Sequence, residues 1–453
     1  MKKVIAFDLG ASSIRAFLAT YDNKHLDMKE ILRFKHDIIT DDKRSRWDFN
    51  KILSEIVNTI KKYNYVDALA IDTWGVDFSA LDKDGKLLFN PISYRDRMHD
   101  IGLKEYASNN DLYELFKETG NQILSINSIF QLHALRMNDP LNFNKIDTIL
   151  FMPDLLNYYL CGEIACEESI LSTSGLCDLD NIEISDKELS KLNLNNKVFK
   201  NITKAPKVLG TLKNSLIKEL REYDIKVINI LSHDTASALV LSDASKDNKT
   251  AFLSCGTWSL IGCINDKMIR SKEAFEYNLS HELAYDSSKL LFKNLNGLYL
   301  LNKLLDEMAI VNNHRYSYEY INDNIRKKQY EFNYIDVEDD KYSSIDNNLL
   351  ELLKSGFPNL EDLEYIEIVY NSLCYKYKMT LDMISRITGR VFDSLHVVGG
   401  GVNNTYLMEK IADYTNLKVL LGPSEASTYG NILLQLLALD EISDLNKAKS
   451  LID

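Results

Sequence analysis

Residues 4–19 read VIAFDLGASSIRAFLA and residues 251–263 read AFLSCGTWSLIGC. In the first stretch, Val4 to Phe7 form a β-branched and aromatic run, Gly10-Ala11-Ser12-Ser13 turns the chain, and Ile14 to Ala19 resumes it. That pattern predicts a β-hairpin with a small, hydroxyl-rich turn. The second stretch repeats the plan, with an apolar strand at Ala251–Leu253, a turn at Gly256–Ser259 and an apolar return from Leu260 to Ile264. One such pair is a weak repeat by itself. Placed at the head of each half of the chain, it predicts two domains of related fold facing each other. The polar, turn-rich segment Asp243–Lys249 is the best boundary, which gives an N-terminal domain over 1–242 and a C-terminal domain over 243–453.

Outward from the first hairpin, Ile52, Ile56 and Ile60, with Leu53 and Val57 beside them, make a helical stripe behind Asp48 as N-cap. The strand Val66–Ile71 follows at once, and helix into strand, repeated, implies an α/β architecture. Val227–Leu231 reads as a buried strand that delivers Ser232-His233-Asp234-Thr235 to its C-terminal end. Ile366, Val369, Leu373, Tyr377, Leu381 and Ile384 trace one face of a long helix that Gly389 ends. Leu395–Val398 is a strand, Gly399-Gly400-Gly401 a turn, and Asn403 or Asn404 caps the next helix. Residues 138–224 read as polar surface helices of lid-like character, and Glu338–Lys341 as a solvated loop.

At about 150 residues per domain, 453 residues suggest two or three domains. Lys and Arg total 53 against 66 Asp and Glu, a formal charge of −13, and no local basic patch offsets it, which disfavours nucleic-acid binding. The 45% apolar fraction suffices for a substantial core, and only 6 prolines argue against a Pro-rich linker. The 6 cysteines fall at unrelated spacings without a C-x-x-C pair, so buried, idle thiols are expected. Asp8 cuts the N-terminal apolar run to four residues, too short for a signal peptide, and no 18-residue apolar run exists. A cytoplasmic protein, monomeric or a small homo-oligomer, is expected.

Four loops that leave the ends of predicted strands carry the candidate chemistry, since open α/β sheets bind ligands there. Asp8-Leu9-Gly10-Ala11-Ser12-Ser13 is either an ordinary tight hairpin or a loop whose amides and hydroxyls approach a polyphosphate, with Asp8 able to hold Mg²⁺ through water. Gly256-Thr257-Trp258-Ser259 offers the same physics from the other half. Gly399–Asn404 is either structural packing or a side-chain-free surface for a purine or ribose. The fourth loop ends in His233-Asp234, where a carboxylate can accept the proton of a substrate hydroxyl as its oxygen attacks phosphorus. Asp72-Thr73-Trp74-Gly75-Val76-Asp77 adds the aromatic, glycine and carboxylates that suit a polyol, unless Asp72 and Asp77 only cap turns. There is no G-x-x-x-x-G-K-[ST], no H-E-x-x-H, no G-x-S-x-G and no protein-kinase signature.

At these residues the chain resembles the FGGY carbohydrate kinases, and within them the rhamnulokinase branch. The matching segments are FDLGASS (7–13), AIDTWGVDF (70–78), YRD (94–96), SHDTASA (232–238), SCGTWSL (254–260), KNLNGLYLL (293–301), HVVGGGVNN (396–404) and GPSEASTYGN (422–431). The resemblance implies two actin-like, ribonuclease-H-like ATPase domains with an interdomain cleft that closes on the substrates. It implies transfer of the γ-phosphoryl group of ATP to the 1-hydroxyl of a ketose, L-rhamnulose foremost, with L-fuculose or L-xylulose as alternatives and a non-catalytic sugar sensor as another. Asp234 falls on the catalytic-base position. Ala11, Ser12, Ser13, Ile14 and Arg15 match the first ATP-phosphate loop, Thr257 the second, and Asn302 and Gly400 other ATP contacts. Gly75, His233, Asp234, Thr235 and Asn294 match the sugar-holding positions, and Asp8 the acidic residue associated with magnesium. Three departures stand out: Ile14 replaces a common glycine, Asn302 a usual glutamine, and 277–283 read YNLSHEL where Asn-Glu-Gly-Gly is usual.

Overall fold

The computed structural model describes residues 1–10, 13–41, 44–242, 244, 247–344 and 346–452. They form two compact units, one of Met1–Leu241, Asp266–Lys289 and Ser427–Asp453, the other of Ser242–Asn265 and Leu290–Ala426. The units are therefore not the consecutive stretches 1–242 and 243–453. The break after Leu241 adjoins the polar boundary segment, but 266–289 and 427–453 pack with the first unit although both lie late in the sequence. Residues 243, 245 and 246 of that segment lie outside the described residues.

The first unit is built on a six-stranded sheet in the order Lys207–Thr211, Lys226–Asn229, Ala68–Thr73, Lys2–Leu9, Ile14–Tyr21, Leu26–Phe34. Lys2–Leu9 pairs antiparallel with Ile14–Tyr21, as the hairpin reading expects, and parallel with Ala68–Thr73, which in turn pairs parallel with Lys226–Asn229. Ile5, Phe7, Leu69, Ile71 and Val227 project from it onto Ile52, Ile56 and Ile60 of the helix Phe49–Lys62 and onto Leu155, Leu156 and Leu160 of the helix Met152–Cys161. Each such side chain contributes about 1.5–3 kcal/mol of burial free energy. Asp48 caps the first of these helices, its carboxylate accepting from Lys51 N at 3.1 Å.

Residues 138–224 correct the surface reading. Phe143, Ile149, Phe151, Ile170, Leu171, Leu176 and Leu189 fill a second apolar cluster of the same unit. Its strands there are short, four residues at Thr148–Phe151 and two at Cys166–Glu167, so neither displays a readable period.

The second unit carries strands in the order Lys289–Asn296, Trp258–Asn265, Thr250–Cys255, Ser394–Val398, Lys418–Leu421. Thr250–Cys255 pairs antiparallel with Trp258–Asn265 and parallel with Ser394–Val398, which pairs parallel with Lys418–Leu421. Hairpin, then parallel neighbour, then a second parallel neighbour is the order found in the first unit too. The helix Asp362–Thr388 opens with a capping box between Glu361 and Glu364, buries its predicted stripe, and ends at Gly389 in the left-handed region (φ 69°). Asn404 caps the helix Thr405–Thr415 by accepting from Leu407 N at 3.1 Å. Glu338–Lys341 is a further correction: Asp339 caps a short helix, Asp340–Ser343, and Glu338 forms ion pairs with Lys293 (2.8 Å) and Lys376. All six cysteines are free and buried. Among the described residues no helix is long and apolar enough to cross a membrane.

Candidate active site

Three adjacent parallel strands of the first unit deliver acids to one end of the sheet. Asp8 lies in register with Asp72, and Thr73 bridges to His233 while its N–H donates to Ser232 O at 2.8 Å. Asp8, Asp72 and the His233-Asp234 turn thus sit side by side because the strands that carry them end together.

Asp8 is buried, and its Oδ2 accepts from Arg15 (2.6 Å), Ser427 Oγ (2.8 Å) and Thr428 Oγ1 (3.1 Å). Asp72 is 0% exposed; Asn431 donates to its Oδ2 at 2.6 Å, and its Oδ1 has no hydrogen-bond partner among the described residues. Burial, then the charge of Asp8 and more weakly that of Asp234, push its pKa well above the usual carboxylate range, against the bond from Asn431. Asn431 is itself held by Gln435, which also donates to Ile5 O at 3.0 Å. The helix Ala426–Ala438 that carries both residues can approach because residue 430 is glycine: a Cβ there would lie 1.9 Å from Ser237 O.

Asp234 opens the short helix Asp234–Leu239, and 33% of its side chain is exposed, so it is not sealed by packing. Its Oδ1 takes all three contacts, from Thr235 N (2.6 Å), Thr235 Oγ1 (3.3 Å) and His233 Nε2 (3.3 Å). Burial raises its pKa, opposed by His233 and reinforced by Asp8. The turn before it is tied down from below. Glu167 Oε2 accepts from Ser232 N (3.0 Å) and Ser232 Oγ (2.8 Å), and His233 N donates to Ser169 Oγ at 3.3 Å.

The first hairpin turn closes through Gly10 N donating to Ser13 O at 3.0 Å, and His36 Nε2 lies 2.9 Å from Gly10 O. Ala11 and Ser12 lie outside the described residues. The Ile14 side chain is buried in the core and does not reach a ligand. Gly75 faces Thr173, whose Cγ2 would meet a Cβ at 3.0 Å. Asp77, left open between a polyol role and a structural one, is an architectural hub: its carboxylate accepts from Trp47 (2.6 Å), Trp74 (2.8 Å), Tyr94 N (3.1 Å) and Gln131 (3.0 Å). Burial raises its pKa to about 7 against those bonds.

In the second unit, Thr257 is exposed at the tip of its hairpin, and its carbonyl accepts from Gly297 N (3.1 Å) and Tyr299 N (3.2 Å). Asn294 lies on the strand Lys289–Asn296. Asn302 is occupied within the chain: it donates to Leu298 O (3.0 Å) and accepts from Arg315 (2.8 Å) and Tyr318 (3.0 Å). Of the three glycines, Gly399 (φ 89°) and Gly401 pack on Cys255, whereas a Cβ on Gly400 would meet nothing within 4 Å. Packing accounts for two of them and leaves open surface at the third.

Sequence reasoning left Glu167, Glu282, Ser427, Thr428 and Asn431 without roles. For the last three the signal was the GPSEASTYGN segment itself.

Two family models match this chain. Residues 3–240 match the N-terminal domain of the FGGY family of carbohydrate kinases and residues 358–439 its C-terminal domain. The chain belongs to the FGGY family of carbohydrate kinases. This FGGY kinase is 31% identical to a rhamnulokinase of Lactiplantibacillus plantarum over 464 residues, covering 100% of this chain and 93% of that protein. It is 32% identical to a rhamnulokinase of Halalkalibacterium halodurans, covering 100% and 97%. A ligand-bound xylulose kinase from Lactobacillus acidophilus shares the fold, with a TM-score of 0.81 at 15% identity over 100% of this chain and 92% of that one. An ATP-dependent sugar kinase of mixed α/β architecture is the established frame.

Proposed function

We propose that this kinase transfers the γ-phosphoryl group of ATP to the 1-hydroxyl of L-rhamnulose. The observation that carries the reading is the partly exposed Asp234 carboxylate, set beside His233 at the end of the central sheet. Its support from outside is full-length similarity to rhamnulokinases at about 31% identity. Asp234 takes the proton of the acceptor hydroxyl as that oxygen bonds to the γ-phosphorus, and the bond from phosphorus to the β-phosphate oxygen breaks to release ADP. Raised proton affinity through burial suits a carboxylate to that task.

Gly75, His233, Thr235 and Asn294 are assigned to the sugar. Ala11, Ser12, Ser13, the Ile14 backbone and Arg15 are assigned to the ATP phosphates in the first unit, and Thr257 in the second. Gly400, with its open surface, and Asn302 are assigned to the nucleotide, Asn302 after exchange of its internal partners.

Magnesium fits the acids at the strand ends. Hard carboxylate oxygens are its preferred donors, and the buried Asp72 Oδ1 beside Asp8 has no hydrogen-bond partner among the described residues. Among the described residues no group of three or more ligating side chains forms a ready cage, so Asp8 would hold the ion through its waters. When bound, the ion neutralises charge on the phosphates.

A coupled ADP-release assay over a panel of ketoses tests the substrate. L-Rhamnulose should give the highest kcat/KM, with product phosphorylated at carbon 1 by phosphorus-31 NMR. A higher value for L-fuculose or L-xylulose would overturn the assignment of the sugar.

A further inference from the structure

Glu282 lies on the strand Ser280–Leu283, in the segment that departs from the rhamnulokinase pattern. Both of its chain neighbours are pinned. His281 N donates to Gly120 O (2.9 Å), Asn121 donates to His281 O (2.9 Å), and Leu283 N donates to Ser172 Oγ (2.9 Å). The His281 ring also lies against Gly120, its Nδ1 3.0 Å from the same carbonyl. Alternation along a strand sends the Glu282 side chain to the opposite face, where its Oε2 is 3.0 Å from His233 Nδ1. The other ring nitrogen, Nε2, is 3.3 Å from Asp234 Oδ1.

The side chains of Glu282 and His233 are 7% and 8% exposed. Neither Glu282 Oε2 nor His233 Nδ1 has a hydrogen-bond partner among the described residues, so their contact is an ion pair held by charge rather than a well-aligned hydrogen bond. A buried carboxylate placed at that distance from a buried ring is costly unless it does something for the ring.

We propose that Glu282 is a positioning residue for phosphoryl transfer, acting through His233 to hold that ring against Asp234. The proposal rests on the reading of Asp234 as the base. The physical reason lies in how a ring can face two acids. A neutral imidazole donates from one nitrogen only and would turn a lone pair toward one carboxylate; the imidazolium donates from both. Burial by itself lowers the proton affinity of His233, and Glu282 overrides it, bringing the pKa to about 9, with Asp234 and Glu167 as the other acids facing the ring. The charged ring then opposes protonation of Asp234 and fixes which of its oxygens is engaged.

Two measurements on the full-length enzyme test this: nitrogen-15 NMR of the His233 ring, assigned through His233→Gln, and the pH profile of kcat/KM for the sugar. In the wild type the ring should stay doubly protonated to near pH 9. In Glu282→Gln it should titrate lower by about one unit or more. The basic limb of the profile should follow it, while KM for ATP holds and kcat falls about tenfold. Glu282→Asp, which keeps the charge, should recover part of both. A neutral ring at pH 8 in the wild type overturns the proposal without any variant. So does a Glu282→Gln enzyme whose ring signal and pH profile match the wild type while Asp234→Ala is inactive. Full turnover in Asp234→Ala would instead sink the assignment of the base, with the His233 signal still reporting on Glu282.

Discussion

The two hairpins share an antiparallel strand pairing and differ in charge. In the first, Leu9 and Ile14 are the last pair before the turn, Asp8 pairs with Arg15, and Asp8 lies in register with Asp72 on the parallel neighbour. In the second, Cys255 and Ser259 are the last pair, Ser254 pairs with Leu260, and Ser254 lies in register with Val398. Every charged group of the first constellation has a neutral counterpart in the second. The first unit thus gathers carboxylates at its strand ends, whereas the matching positions of the second are neutral among the described residues.

Breaking the comparison at its strongest point means removing Asp234. Asp234→Ala should lower kcat by about 10²–10⁴-fold, the range for loss of a general base, with sugar and ATP affinities retained by calorimetry; unchanged turnover would place the base elsewhere. Next, Asp8→Ser gives the first hairpin the residue that the second has at the matching position. Affinity for a divalent cation should fall by about 10–100-fold, as when a residue that orients metal-bound water is lost, read by electron paramagnetic resonance of Mn²⁺ with ADP present.

Asp77 sharpens the comparison from the side of architecture. Its folded-state pKa of about 7 lies above its unfolded value, so this group's contribution to stability is present below about pH 4 and is lost as pH rises toward 7. The melting-temperature difference between wild type and Asp77→Asn should therefore shrink over that window, with kcat at neutral pH in a folded variant changed far less than by Asp234→Ala. Thr257→Ala should have the smallest effect. One neutral hydrogen bond is worth about 0.5–1.5 kcal/mol, so KM for ATP should rise about two- to tenfold at constant kcat.

Much of this was legible in the chain. Both hairpins, the capped helix after Asp48, the long helix ended by Gly389 and the Asn404 cap follow from local period and capping chemistry, which act over a few residues. The strand ends already suggested roles for Asp8 and Asp234, and the family resemblance pointed to the same two residues. The middle region was not legible because its strands are too short to show a period, and Asp77 stayed open between two roles because Trp47, Tyr94 and Gln131 reach it from separate segments.

The sequence by itself determined the hairpin-led α/β plan, the duplicated loops and the acid at position 234, because strand alternation and turn chemistry are local. Only tertiary structure decided that 266–289 and 427–453 join the first unit, that Asn431 reaches back 359 residues to Asp72, and that Glu282 meets His233. Those pairings depend on which strands share a sheet and which helix packs beside them, and burial makes them matter: once water is excluded, a carboxylate's behaviour is set by the few groups that the fold brings within about 3 Å.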